Sequence, residues 1–212
     1  MAKNNPSGKI KIGQEAEDIA IMELLGPKRE IDVRLQEALS DLGEAYSLIL
    51  LMPKDSYELR FSRIIKRFLD QGNKCICVTV NKSSSDLAKI LDKEGLPSKE
   101  IFFIDTITLM IDGEKAKDIQ AMYLDSPSEL VELSVAIEKT IKKMNGQKIA
   151  LIIDSIATLL VYNNETAVEK FTHALSQKMS DWKVQGVFLT TDSTSQKIID
   201  TLSQFCDNVA SL

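Results

Sequence analysis

Five short apolar runs set the strongest limit on how this chain can fold. They are YSLILLM at 46–52, KCICVTV at 74–80, IFFID at 101–105, KIALIID at 148–154 and GVFLTTD at 186–192. A strand with one face in water alternates apolar and polar residues, whereas a strand buried on both faces reads as a near-continuous apolar run. These runs are of the second kind. Between them lie stretches with helical periodicity, at 56–71, after Ser84 and Ser85, at 128–144, at 165–181 and at 195–204. Asp55 and Glu58 have capping-box spacing, and Gly72 stops the first of these helices. IQAMYLD reads as a further short strand and DNVASL as a last one. Strand–helix alternation of this kind predicts an α/β fold with a mostly parallel sheet covered on both faces.

Ahead of the first strand the pattern is helical. Gln14 to Leu25 forms one predicted helix, stopped by Gly26 and Pro27. A second runs from about Arg29 to Leu42, with Ile31, Leu35, Ala38, Leu39 and Leu42 on one stripe, and Gly43 closes it. The expected organisation is an N-terminal tail and helical element over 1–42 and an α/β domain over 43–212.

Of the 212 residues, 27% are charged, with a formal net charge of -5. That balance argues against a general binder of nucleic acid or anionic membrane. No apolar run approaches the roughly 20 residues of a membrane span, and the N-terminus lacks the apolar core of a secretory signal. Three cysteines, an odd number, point to a reducing compartment, with the cytoplasm as the expected location. Cys75 and Cys77 fall on one face of a strand and read as buried small hydrophobes, as does Cys206. His173 has no second ligand or nucleophile at useful spacing. Asn81 and Asn164 match a glycosylation pattern that carries no meaning in a reducing compartment.

Ligands of open α/β sheets sit beyond the carboxyl ends of the strands. There the chain places Lys54, Asp55 and Ser56, then Asn81 and Lys82, then Asp105, then Asp154 and Ser155, and finally Thr190, Thr191 and Asp192. Three aspartates at one edge could order a hydrated magnesium, with Asp154 as its ligand; they could equally cap the loops that follow. The turn MPKDSYEL has the strand–turn–helix layout of a phosphate loop and contains no glycine. Arg60, Arg63 and Arg67 follow on one helix face, read here as a solvated stripe.

The series KIALIIDSIATLLVYNNETAVEKF, GVFLTTD and CDNVASL, with CICVTVNKSSSDLAKILDKEGL and IFFIDTIT upstream, resembles RecA-superfamily ATPases of the KaiC-like branch over about residues 43–212. The resemblance implies a RecA-like three-layer α/β/α fold. It also implies a Walker B role for Asp154, a Walker A loop at Met52–Leu59 and a catalytic glutamate after the second strand. The last two are absent. A phosphate loop needs glycines so that its N–H groups can wrap the phosphates, whereas Pro53 has no N–H, and Asp55 and Glu58 add negative charge. Neither Asn81 nor Lys82 can take a proton from an attacking water at neutral pH. The expectation is a pseudo-ATPase with no cofactor, serving assembly or regulation. Its expected partner is itself or an intact KaiC-like ATPase, met through Ile31, Leu35 and Leu39, the alternative being that these helices simply cover one face of their own sheet. Two other readings stay open. One is a nucleotide binder that holds ATP and magnesium with Lys54, Lys82 and the first turn of the helix at 56–71. The other is a RecA-paralogue-like recombination accessory, against which the net charge counts.

Overall fold

Each apolar run becomes a strand of one sheet, and helices cover both of its faces. The computed structural model describes residues 26–144 and 146–212, so the helix expected over Gln14–Leu25 lies outside the described residues. Its elements are α1 (Pro27–Leu39), β1 (Tyr46–Met52), α2 (Tyr57–Asp70), β2 (Lys74–Thr79), α3 (Ser84–Lys93), β3 (Phe102–Asp105) and β4 (Gln120–Tyr123). They continue with α4 (Leu130–Lys143), β5 (Ile149–Asp154), α5 (Ile156–Tyr162), α6 (Glu165–Trp182), β6 (Val184–Thr191), α7 (Gln196–Ser203) and β7 (Asn208–Ser211). The sheet has seven strands in the order β4-β3-β2-β5-β6-β1-β7, and all pairings are parallel.

Successive strand side chains point to opposite faces, so the sheet feeds two cores. Leu48, Leu50, Cys75, Cys77, Ile152 and Val187 pack with α1, α2 and α3 on one face. Ile49, Ile76, Val78, Leu151, Ile153 and Phe188 pack with α4, α5, α6 and α7 on the other. Both strand cysteines are buried in the first core, as the sequence suggests. On β6 a Cβ at Gly186 would lie 2.8 Å from the sulfur of Met179 on α6, so a larger residue there would have to displace that buried side chain.

The helix at 156–162 is not legible in the sequence. IATLLVY is apolar apart from Thr158 and shows no helical period. It is helical because the Ser155 hydroxyl accepts the Thr158 N–H and Asn163 closes its far end on the Leu159 carbonyl. Nor does the expected Asp55–Glu58 capping box form: the residue before α2 is Ser56, in the left-handed region at φ 60, and no side chain caps the helix.

Two expectations, one about α1 and one about α2, are corrected. Ile31 and Leu35 are each 1% exposed, because α1 lies on α2 and the β7 end of its own sheet. They cannot serve as a surface for another subunit. The arginine stripe is not solvated either. Arg63 grips Asp32 of α1 with both prongs of its guanidinium, Nε donating to Oδ1 at 2.7 Å and Nη2 to Oδ2. Arg60 and Arg67 are half-buried beside it. Which contact holds α1 follows from magnitudes. A partly exposed ion pair contributes about 1 kcal/mol or less, whereas each fully buried aliphatic side chain contributes about 1.5–3 kcal/mol. Leu35→Ala should therefore lower the unfolding free energy by about 2–5 kcal/mol, and Asp32→Asn by about 1 kcal/mol or less. Urea denaturation of the two variants measures both, and equal losses would overturn the ranking.

Candidate functional site

The helix after β2 leads outward to β3, while the helices after β5 lead the other way to β6. Where neighbouring strands β2 and β5 part in this manner, a crevice opens above their carboxyl ends, which is where ligands of such sheets sit. A cleft of ≈ 520 Å³ lies there, lined by Lys54, Ser56, Tyr57, Glu58, Asn81, Lys82 and Thr191. The strand ends thus bring together five of the residues singled out from the sequence: Lys54, Ser56, Asn81, Lys82 and Thr191. Asp55 is exposed outside the cleft, and Asp192 is exposed beyond β6. Ser155, with 6% exposure, is engaged as the cap of α5. Tyr57 and Glu58 complete the lining, and Tyr57 was not anticipated as a site residue.

Tyr57 is the residue on which the site turns. It is the first residue of α2, directly after the left-handed Ser56. Its ring stacks on Phe61 one turn later, centroids 6.0 Å apart, and Phe61 is itself fully buried. Held in this way, the phenol reaches down from the cleft and its hydroxyl donates to Oδ2 of Asp154. Asp154 is 0% exposed, and its other oxygen, Oδ1, has no hydrogen-bond partner among the described residues. Burial pushes its pKa up to about 6, against the lowering effects of the Tyr57 hydrogen bond and the nearby Lys82. Burial, and then the Asp154 charge, push the Tyr57 phenol well above its ordinary range. The phenol therefore keeps its proton and remains a donor.

Asp105 is a buried carboxylate of the opposite kind. In the register Thr79 pairs with Asp105 on one side and with Asp154 on the other. Asp105 accepts from the N–H groups of Ser84, Ile107 and Thr108, at 2.7–2.8 Å, and from the Thr108 hydroxyl. Burial pushes its pKa up, but the hydrogen bonds from Ser84 and Thr108 outweigh burial and leave it below the usual range. Asp105 is thus a staple that fixes the loops after β2 and β3. No group of three or more His, Cys, Asp or Glu that could hold a metal ion occurs among the described residues, so the three strand-end aspartates do not converge.

With its glycine-free turn, its two lysines lining the cleft and a tyrosine whose hydroxyl reaches the buried Asp154, the molecule is a three-layer, all-parallel α/β protein. The chain belongs to a family of unknown function, DUF7504, whose sequence profile matches residues 50–212. No curated protein matches it by sequence. Its fold is similar to that of an uncharacterised protein from Pyrococcus horikoshii, solved as a crystal structure in complex with an unknown peptide. The TM-score is 0.63 at 13% identity, covering 84% of this chain and 81% of that one. No helix among the described residues is long and apolar enough to cross a membrane.

The raised pKa of Asp154 makes stability depend on pH with a definite sign. A carboxyl whose folded pKa lies above its unfolded one stabilises fully below the unfolded value, and this is lost as pH rises through the folded value. For Asp154 the window runs from 3.8 to about 6, a gap corresponding to on the order of 3 kcal/mol. Asp105 shifts in the opposite direction, so the test is a difference between proteins. Asp154→Asn should gain stability relative to wild type across this window, read from urea midpoints at a series of pH values. A difference that does not change with pH would show that Asp154 ionises normally. Tyr57→Phe, which removes the only hydrogen-bond donor to the Asp154 carboxylate among the described residues, should lower stability by about 1–3 kcal/mol at neutral pH.

Proposed function

We propose that this protein is a non-catalytic RecA/KaiC-like domain, a pseudo-ATPase whose role is regulatory or one of assembly, exercised through protein partners. The observation that carries this reading is the Tyr57–Asp154 hydrogen bond. In the resembled family the aspartate after this strand serves the nucleotide's magnesium, whereas here a phenol donates to it and it is fully buried. A hydrated divalent cation keeps several waters and needs an accessible carboxylate, so Tyr57 and the cation compete for one place. The turn before α2 offers phosphates a proline without an N–H, and Glu58 lines the cleft beside them. Asn81 at the end of β2 supplies no general base. The Pyrococcus horikoshii protein of similar fold, bound to an unknown peptide, gives a precedent for a protein or peptide partner.

Lys54 and Lys82 support a second reading. Both line the cleft, and two ammonium groups over a crevice could hold the phosphates of a nucleotide that never reaches Asp154. Calorimetric titration of the full chain with ATP and ADP, with and without magnesium, separates the two. The first reading expects no binding heat and no phosphate release above background. Micromolar binding without turnover, weakened by Lys54→Ala or Lys82→Ala, would favour the second. Turnover that disappears in Asp154→Ala would overturn the non-catalytic assignment altogether.

A further inference from the structure

Six large hydrophobic side chains are exposed among the described residues, and four of them lie on two helix ends that are tied together. Val131 and Val135 lie one turn apart at the amino end of α4, 79% and 45% exposed; Val161 and Tyr162 end α5, 76% and 38% exposed. The two helix ends are tied together: the Asn163 amide donates to the Pro127 carbonyl, just before α4, and to the Leu159 carbonyl, both at 3.0 Å. Beneath them Leu130 and Leu160 pack on the core, so the patch rests on a fixed base. Scattered apolar residues on a surface are ordinary, whereas a clustered set with a polar rim marks an interaction site.

The rim identifies the occupant. Asp125, Glu129 and Glu132 are exposed around the start of α4, and none takes part in an ion pair among the described residues. The first lysine along α4 is Lys139, a turn beyond Val135. An uncharged apolar partner would strip water from these carboxylates without replacing it. An anionic membrane surface would be repelled. A second copy across a two-fold axis would bring the same patch, carboxylates included, against itself.

We propose that the amino end of α4 and the carboxyl end of α5 form a docking surface for a basic amphipathic segment of another protein. Aliphatic or aromatic anchors of that segment lie on Val131, Val135, Val161 and Tyr162, and its Lys or Arg side chains meet Asp125, Glu129 and Glu132. The inference rests on the reading of the domain as a non-catalytic interaction module. In such contacts the anchors supply most of the affinity, and the charges supply orientation and salt dependence.

The test is an anisotropy titration of the full-length protein with a fluorescein-labelled amphipathic helix of leucine and lysine, alongside its leucine–glutamate counterpart. Wild type should bind the lysine peptide saturably and the glutamate peptide not at all. The double variant Val131→Ser, Val161→Ser should bind roughly tenfold more weakly while keeping its circular dichroism and net charge. Glu129→Gln with Glu132→Gln should also weaken binding and flatten its dependence on salt. Unchanged affinity in the serine variant would overturn the surface, and equal binding of the glutamate peptide would overturn the class of partner. Self-association of wild type that the serine variant abolishes would replace the proposed occupant with a second copy. ATP turnover in the calorimetric samples would remove the underlying reading without altering the peptide result, so the two failures are distinguishable.

Discussion

Everything in this molecule follows from the requirement that an all-parallel sheet be buried on both faces. Parallel strands need crossover connections, the crossovers are helices, and the helices must lie on one face or the other. The parity of each strand then decides which core a residue enters, as with Leu48 and Leu50 on one side and Ile49 on the other. α1 is recruited to the same task. Without it, part of the face near β7 would lie open, and so its apolar stripe turns inward.

That burial also sets the chemistry at the strand ends. Asp105 and Asp154 are residues of one type, both buried, on either side of Thr79. They differ in how deeply each is desolvated, Asp154 the more so, and in how many donors reach them. Asp105 collects three N–H groups and a hydroxyl, and its charge is stabilised. Asp154 receives one phenol, and its charge is disfavoured. Such a carboxylate calls for a counter-ion or a proton, and Tyr57 provides a substitute for the first.

The fold was legible because hydrophobic patterning is a property of long segments. The five apolar runs and the helices between them appear where the periods place them, and the buried pair Cys75 and Cys77 follows from strand parity. The site was half legible. Strand ends can be located from sequence, so Lys54, Ser56, Asn81 and Lys82 could be expected to converge. Tyr57 could not, because its role depends on a left-handed Ser56 and on stacking against Phe61, neither of which leaves a periodic trace. α5 escaped notice for a related reason: its helicity comes from Ser155 and Asn163 at its ends rather than from an apolar stripe. The face on α2 that carries Arg60, Arg63 and Arg67 misled in the other direction. A charged stripe on a helix reads as solvated unless a partner helix is known to lie over it.

The position of β1 has a consequence for how the protein is made. Among the described residues β1 is the first strand to be synthesised, yet its two neighbours are β6 and β7, which follow all the other described strands, with Tyr46 paired to Gln185 and Leu48 to Asn208. Until those strands are synthesised, β1 and the α2 that covers it have no edge to join. Such long-range pairing is slow and leaves apolar strands waiting. During synthesis the nascent chain thus carries the run Leu48–Met52 without a partner, which makes it a natural client of chaperones that hold extended apolar segments.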